Sequence, residues 1–226
     1  MQSNDVLIKA PVTLTLEKSL SANKVLRNTY MLLAMTLLFS ALTASVAIAT
    51  KAQPLHWLLT LGGYFGLLFV VTKLRNSVWG LAAVFALTGF LGYTLGPILS
   101  LYLSLPNGSQ VVMTALGGTG VIFLALSAYA LVSRKDFSFM AGFLMVGLMV
   151  AILASIGAVL FSLPALSLAV SAMMILLMSG MILWQTSDII HGGETNYIMA
   201  TVSLYISIFN LFVSLLQILG VMSGDD

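Results

Sequence analysis

The sequence contains no cysteine, so disulfides, thiol nucleophiles and cysteine metal sites are excluded. Charge is almost as scarce: nine Lys/Arg and seven Asp/Glu make up 7% of the 226 residues, with a net charge of +2. A soluble domain carries roughly a quarter of its residues as charges. So sparse a set cannot cover a water-facing surface, and a soluble globular enzyme is excluded. The net charge is also too small to suggest nucleic acid as a partner. What the chain has in quantity is apolar side chains, 60% of the total, far more than a disordered segment holds. The class that remains is a polytopic membrane protein.

A helical crossing needs about 20 apolar residues to span roughly 30 Å of hydrocarbon. Seven stretches meet that requirement: Thr29–Thr50, Leu55–Thr72, Val78–Leu99, Val111–Val132, Phe139–Phe161, Ala165–Thr186 and Tyr197–Met222. All 16 charged residues fall outside them. A charge at the bilayer centre costs about 3 kcal/mol or more, and the chain avoids that cost throughout. Between the spans lie Gln53-Pro54, Lys73–Ser77, the turn Leu105-Pro106-Asn107-Gly108-Ser109, the charged loop Arg134-Lys135-Asp136, Pro164, and His191-Gly192-Gly193. Pro presets φ and Gly permits positive φ at such breaks.

The basic residues give an orientation. With seven crossings, Lys9, Lys18, Lys24, Arg27, Lys73, Arg75, Arg134 and Lys135 share one side, against Lys51 alone on the other. Eight against one places the N-terminus in the cytoplasm and the C-terminus outside. Ala47-Ile48-Ala49 resembles a signal-peptidase site, but the apolar run before it is too long for a signal h-region, and the first span reads as a retained anchor. Residues 1–27 read as a mobile cytoplasmic tail, helical from about Ser21, residues 28–222 as the transmembrane domain, and residues 223–226 as a short external C-terminus.

The last span carries a polar stripe. Ser203, Ser207, Asn210, Ser214 and Gln217 are spaced 4, 3, 4 and 3 apart, which puts all five on one helix face. An unpaired amide is costly in lipid, so the stripe faces protein or trapped water. One reading is the polar lining of a pathway; the commoner one is hydrogen bonding between helices. Either reading buries the seventh helix. Gly62/Gly66 and Gly92/Gly96 fit the small-xxx-small pattern of close helix contacts. At Gly96-Pro97 the missing N–H and the proline ring should kink or end the third span, with a break beside a site as the functional alternative.

Asp188, His191 and Glu194 follow the sixth span at intervals of three. They form a candidate cytoplasmic gate sensitive to pH through His191; a metal site with a single imidazole is the weaker reading, and a solvated interfacial loop the plain one. His56 reads as an interfacial residue beside Trp57. Enzyme signatures are missing: there is no His-Glu-x-x-His, no Gly-x-Ser-x-Gly, and no span with paired carboxylates. The chain is therefore expected to be non-enzymatic, with no metal and no cofactor.

The run Trp184-Gln185-Thr186-Ser187-Asp188-Ile189-Ile190-His191-Gly192-Gly193-Glu194-Thr195-Asn196-Tyr197 resembles the end of the sixth helix in the Bax inhibitor-1 family, in its bacterial YccA branch. Leu204-Tyr205-Ile206-Ser207-Ile208-Phe209-Asn210-Leu211-Phe212 resembles the seventh-helix motif of that family. Lys24-Val25-Leu26-Arg27-Asn28-Thr29-Tyr30, and Thr88-Gly89-Phe90-Leu91-Gly92-Tyr93 through Gly96-Pro97-Ile98, fit the same branch, and the similarity runs nearly end to end. The resemblance implies an all-α membrane protein of seven transmembrane helices, six around a central seventh. It also implies a bacterial inner-membrane location and a role as modulator of FtsH, a membrane-anchored ATP-dependent protease, in membrane protein quality control. The tail would be the handle for that protease. Other members carry an acidic pair on helices six and seven that gates a calcium leak; a pH-influenced leak, with calcium as its ion, is thus the alternative function. The matching positions here are Gln185 and Ser207, both uncharged, which leaves no two carboxylates to share a proton there; Asp188 stands three residues beyond Gln185.

Overall fold

A computed structural model describes the backbone of residues 4–223 and the side chains of residues 22–223. The N-terminal part of the tail and the last three residues of the expected external C-terminus lie outside the described side chains. Seven helices follow one another: α1 Asn4–Ala49, α2 Trp57–Leu74, α3 Trp79–Leu103, α4 Gly108–Ser133, α5 Ala141–Leu160, α6 Pro164–His191 and α7 Tyr197–Met222. A single 3-10 turn, Ser138–Met140, leads into α5, and no strand occurs among the described residues. All seven helices are long and apolar enough to cross a membrane, α1 through its segment Ala22–Ala49. Each matches one of the spans expected from the sequence.

Two boundaries differ from expectation. Helix α1 begins at Asn4 rather than near Ser21. No glycine interrupts α1, the first in the chain being Gly62, and the helix runs through its one proline, Pro11. Helix α3 does not end at Gly96-Pro97; it continues through Pro97 to Leu103. Proline removes one N–H from the helical ladder, but at this position α3 is pressed against α1. A Cβ on Gly96 would collide with the Ala47 side chain, and one on Gly92 with the Ser40 carbonyl and the Thr43 hydroxyl. Packing against α1 on this side holds the helix through the gap in its hydrogen bonds.

Helix α7 packs against α1, α2, α3, α4 and α6, and forms the centre of the bundle. Among the described residues, helix α5 meets only α6 and the 3-10 turn. The burial of α7 runs round its circumference, from Leu204, Tyr205 and Ile208 to Leu211, Ser214 and Leu216. That distribution explains why its sequence is apolar over most of its circumference. The other helices turn large apolar side chains outward, such as Phe65 and Phe69 of α2 and Phe143 and Val146 of α5. Lipid is the medium that suits such a surface.

Helix ends are closed locally. At the end of α6, Gly192 is left-handed (φ 75°) and Gly193 N–H reaches back to Asp188 O at 2.9 Å, satisfying carbonyls the helix cannot. At the start of α7, the Asn196 side chain accepts from the N–H groups of Ile198 (3.0 Å) and Met199 (3.1 Å). Its Nδ2 donates to Arg75 O (3.0 Å) and Asn76 Oδ1 (2.8 Å). One asparagine thus caps α7 and ties it to the α2–α3 loop.

Candidate functional site

The polar groups of α7 are distributed over three faces, and each face meets a different neighbour. Toward α6, Ser207 Oγ donates to Gln185 Oε1 at 3.1 Å, with Ser203 O as an alternative acceptor at 3.1 Å. Farther along, Gln217 Nε2 donates to Ser167 Oγ (2.6 Å) while Gln217 Oε1 accepts from Ser171 Oγ (2.8 Å). Asn210 turns back on its own helix and donates to Ile206 O at 2.9 Å. Ser203 is half-buried and Ser214 buried. The stripe read from the sequence is therefore aligned with α6, where two of its members join the helices. Gln185 and Ser207 are brought into direct contact.

On another face stands Tyr205, which is 1% exposed. Its hydroxyl lies 2.6 Å from Ser40 Oγ of α1 and donates to Thr88 O of α3 at 3.2 Å. With that donation fixed, Ser40 supplies the proton to the Tyr205 oxygen. Three helices meet at this hydroxyl, and the sequence reading passed over it. The signal was there: a tyrosine in the middle of an apolar crossing needs a partner for its hydroxyl. Nearer the N-terminal end of α7, Thr201 Oγ1 donates to Tyr197 O (2.7 Å), with Thr29 O of α1 also near at 3.3 Å. Tyr30 of α1 and Thr186 of α6 share a bond of 3.3 Å. Among the described residues, two buried hydroxyls have no partner, Thr29 Oγ1 and Ser127 Oγ.

A cavity of about 390 Å³ opens between α1, α3, α4 and α7. Its walls from α7 are Tyr205, Ile208, Phe209 and Phe212, with Ser40 and Thr119 among the few polar contributors. Thr119 is bonded to Ala115 O (2.7 Å) and Ser40 to Tyr205, so neither offers a free polar group. None of Ser203, Ser207, Asn210, Ser214 and Gln217 lines it, and no charged side chain does. An apolar lining of this kind gives an ion or a charged ligand no partner.

At the end of the bundle that carries the α4–α5 and α6–α7 connections, Asp188, His191 and Glu194 lie near enough for the charges of Glu194 and His191 to act on Asp188, but each makes its own contacts. His191 Nδ1 lies 2.8 Å from Ser187 O and Nε2 3.2 Å from Arg134 O. Glu194 Oε1 accepts from Asn196 N at 2.7 Å, and the Asp188 carboxylate sits where a Cβ on Gly193 would fall. No three such side chains gather around a common metal position among the described residues. Of the two glycine pairs, Gly92/Gly96 forms the α1–α3 contact, whereas Gly62 and Gly66 meet nothing within 4 Å. His56 caps α2, accepting from Leu58 N–H at 3.4 Å, and its ring stands beside Trp57 with centroids 5.9 Å apart.

Comparison with known proteins agrees with this architecture. The family model described as inhibitor of apoptosis-promoting Bax1 matches residues 22–224. The modulator of FtsH protease YccA from Escherichia coli K12 is 53% identical over 206 residues, 91% of this chain and 94% of that protein. The inner membrane protein YccA of E. coli O6:H1 matches to the same extent. An uncharacterized protein of Pseudomonas aeruginosa is 55% identical over 202 residues, 89% of this chain and 91% of that protein. With its motifs, its seven crossings and these matches in hand, the chain is a membrane protein that belongs to the Bax inhibitor-1 family.

Proposed function

We propose that this protein resides in a bacterial inner membrane and binds and modulates an FtsH-type protease, tempering the degradation of other membrane proteins. The observation that carries the reading is the 53% identity, over nearly the full length of both chains, to a protein named as modulator of that protease. The molecule would act by binding rather than by chemistry. Several of its buried hydroxyls and amides join helices to one another, and the cavity between α1, α3, α4 and α7 is apolar. The basic excess at the end that carries the start of α7 supports a cytoplasmic N-terminus, on the side where an ATP-dependent protease would grip a chain end.

The ion-leak reading is not favoured. At the acidic-pair positions, Gln185 and Ser207 hydrogen-bond to each other and carry no charge to attract or gate calcium. The deciding experiment is co-purification of the tagged full-length protein with the protease, combined with turnover of a membrane substrate in cells with and without it. Recovery of the protease and faster substrate loss in the deletion strain are expected. Deleting residues 1–20 should lengthen the lifetime of the protein itself. Absence of both the complex and any change in substrate turnover would overturn the reading.

A further inference from the structure

The connection between α4 and α5 is fastened to the end of α6 by side chains. Arg134 closes α4 in a left-handed conformation (φ 49°). Ser187 Oγ accepts from Phe137 N–H at 3.1 Å and lies 3.0 Å from Lys135 O, to which it donates. One turn on, His191 sets its two ring nitrogens against two carbonyl oxygens, Ser187 O at Nδ1 and Arg134 O at Nε2. Carbonyl oxygens only accept. A neutral imidazole has one N–H and serves one of them; an imidazolium has two and serves both.

The Ser187 hydroxyl completes the proton count, because it also lies 3.3 Å from His191 Nδ1. When Nδ1 is protonated it donates to Ser187 O, and the hydroxyl is left to donate to Lys135 O. A bare Nδ1 would set its lone pair against Ser187 O at 2.8 Å, so the neutral ring keeps its proton on Nδ1 and leaves the hydroxyl on Lys135 O. Its Nε2 lone pair then faces Arg134 O. The neutral form therefore costs the 134–137 segment one hydrogen bond to α6.

We propose that His191 is a proton-operated latch: its imidazolium fastens the Arg134–Phe137 segment to α6, and loss of the proton releases one of the bonds that hold the segment. The charged groups around it come from both elements. Arg134 and Lys135 of the segment oppose the imidazolium; Asp136 of the segment, Asp188 of α6 and Glu194 of the α6–α7 link favour it. Asp136 is not the switch itself. The Ser138 N–H, 2.8 Å from its Oδ1, and the Ser138 hydroxyl hold its carboxyl below the usual carboxylate range, so it stays ionised while the imidazole changes charge. The latch has mechanical reach because Phe137 is buried and, among the described residues, α5 joins the bundle only through α6 and the 3-10 turn. It is separate from the Gln185–Ser207 contact and does not depend on the proposed protease partner.

The composition of the chain suits the test. There is no cysteine and only two histidines, so Phe139→Cys, at a 78% exposed position, gives a unique spin-label site, and His56→Gln leaves His191 as the sole imidazole. The labelled full-length protein, in phospholipid nanodiscs, is taken from about pH 8 to about pH 5.5, where histidine changes charge. Nitroxide mobility and the imidazole NMR shift are followed together. The expected result is an about fivefold fall in the ratio of open to latched label on protonation, the weight of one net hydrogen bond. Its midpoint should coincide with that of the imidazole. His191→Gln, which stays polar but gains no proton, should abolish the response, and Ser187→Ala should reduce it. A response that persists in His191→Gln, or mobility that stays flat while the imidazole titrates, would overturn the proposal. Should His191→Gln fail to fold, coincidence or divergence of the two midpoints in the parent protein decides alone.

Discussion

Inside a lipid-embedded bundle a single hydroxyl can hold several helices only if every donor finds an acceptor, and Tyr205 meets that condition. Its oxygen accepts from Ser40 and its proton goes to the Thr88 carbonyl, so α1, α3 and α7 converge on one atom. Tyr205→Phe preserves the ring and its stacking on Phe209 but strands the Ser40 hydroxyl. A loss of about 1 kcal/mol in unfolding free energy is expected, measured by reversible denaturation in mixed micelles. Ser40→Ala combined with Tyr205→Phe should cost less than the two single changes added together, since each removes the same bond. Gln185 and Ser207 belong to the same scale: a neutral hydrogen-bonded pair between α6 and α7, with no carboxylate to hold or share a proton.

At the scale of the element, glycine spacing alone does not reveal which helix face is a contact. Gly92 and Gly96 carry α3 into α1 so closely that a methyl group would strike backbone atoms or the Ala47 side chain. The equally spaced Gly62 and Gly66 of α2 look into open space, while their neighbour Gly63 meets the Phe90 ring. The two pairs should therefore respond in opposite directions to the same change. Gly92→Ala is expected to destabilise by about 1–3 kcal/mol, because Ser40 O belongs to a helix backbone that can yield only by moving α1. Gly66→Ala should be neutral or stabilising by about 0.5–1 kcal/mol, since alanine is the better helix former. Thermal unfolding of both variants in the same detergent checks the pair; equal destabilisation would contradict the α1–α3 contact. Pro97 teaches a related lesson, for a residue that ends helices in isolation is carried within α3 beside that contact.

For the molecule as a whole, the arrangement of charge is the feature with consequences outside the bundle. Lys73, Arg75, Arg134 and Lys135 lie at or beside the connections at one end, the end from which α7 departs, and Lys51 lies at the other. An odd number of crossings then puts the chain ends on opposite sides. A C-terminal alkaline phosphatase fusion should be active outside the cytoplasm and a C-terminal green fluorescent protein fusion dark; the reverse pattern would place the C-terminus in the cytoplasm. Among the described residues helix α5 is attached through α6 and the 3-10 turn alone, which is why a latch at His191 matters beyond its own loop.

The sequence by itself determined the number of crossings, their approximate limits and the burial of α7. Each of these follows from the cost of placing charge or unpaired amides in hydrocarbon, a cost that acts on residues wherever the chain later packs. Only the tertiary structure decided which groups meet. The α7 stripe could have faced a water-filled path; its alignment with α6 sets Ser207 on Gln185 and Gln217 on Ser167 and Ser171. Likewise, nothing in the local pattern around Tyr205, Ser187 or His191 names Ser40, Lys135 or Arg134 as partners. Hydrogen bonds between residues far apart in the chain depend on helix rotation and close approach, and those are fixed by packing of the whole bundle rather than by periodicity along any one segment.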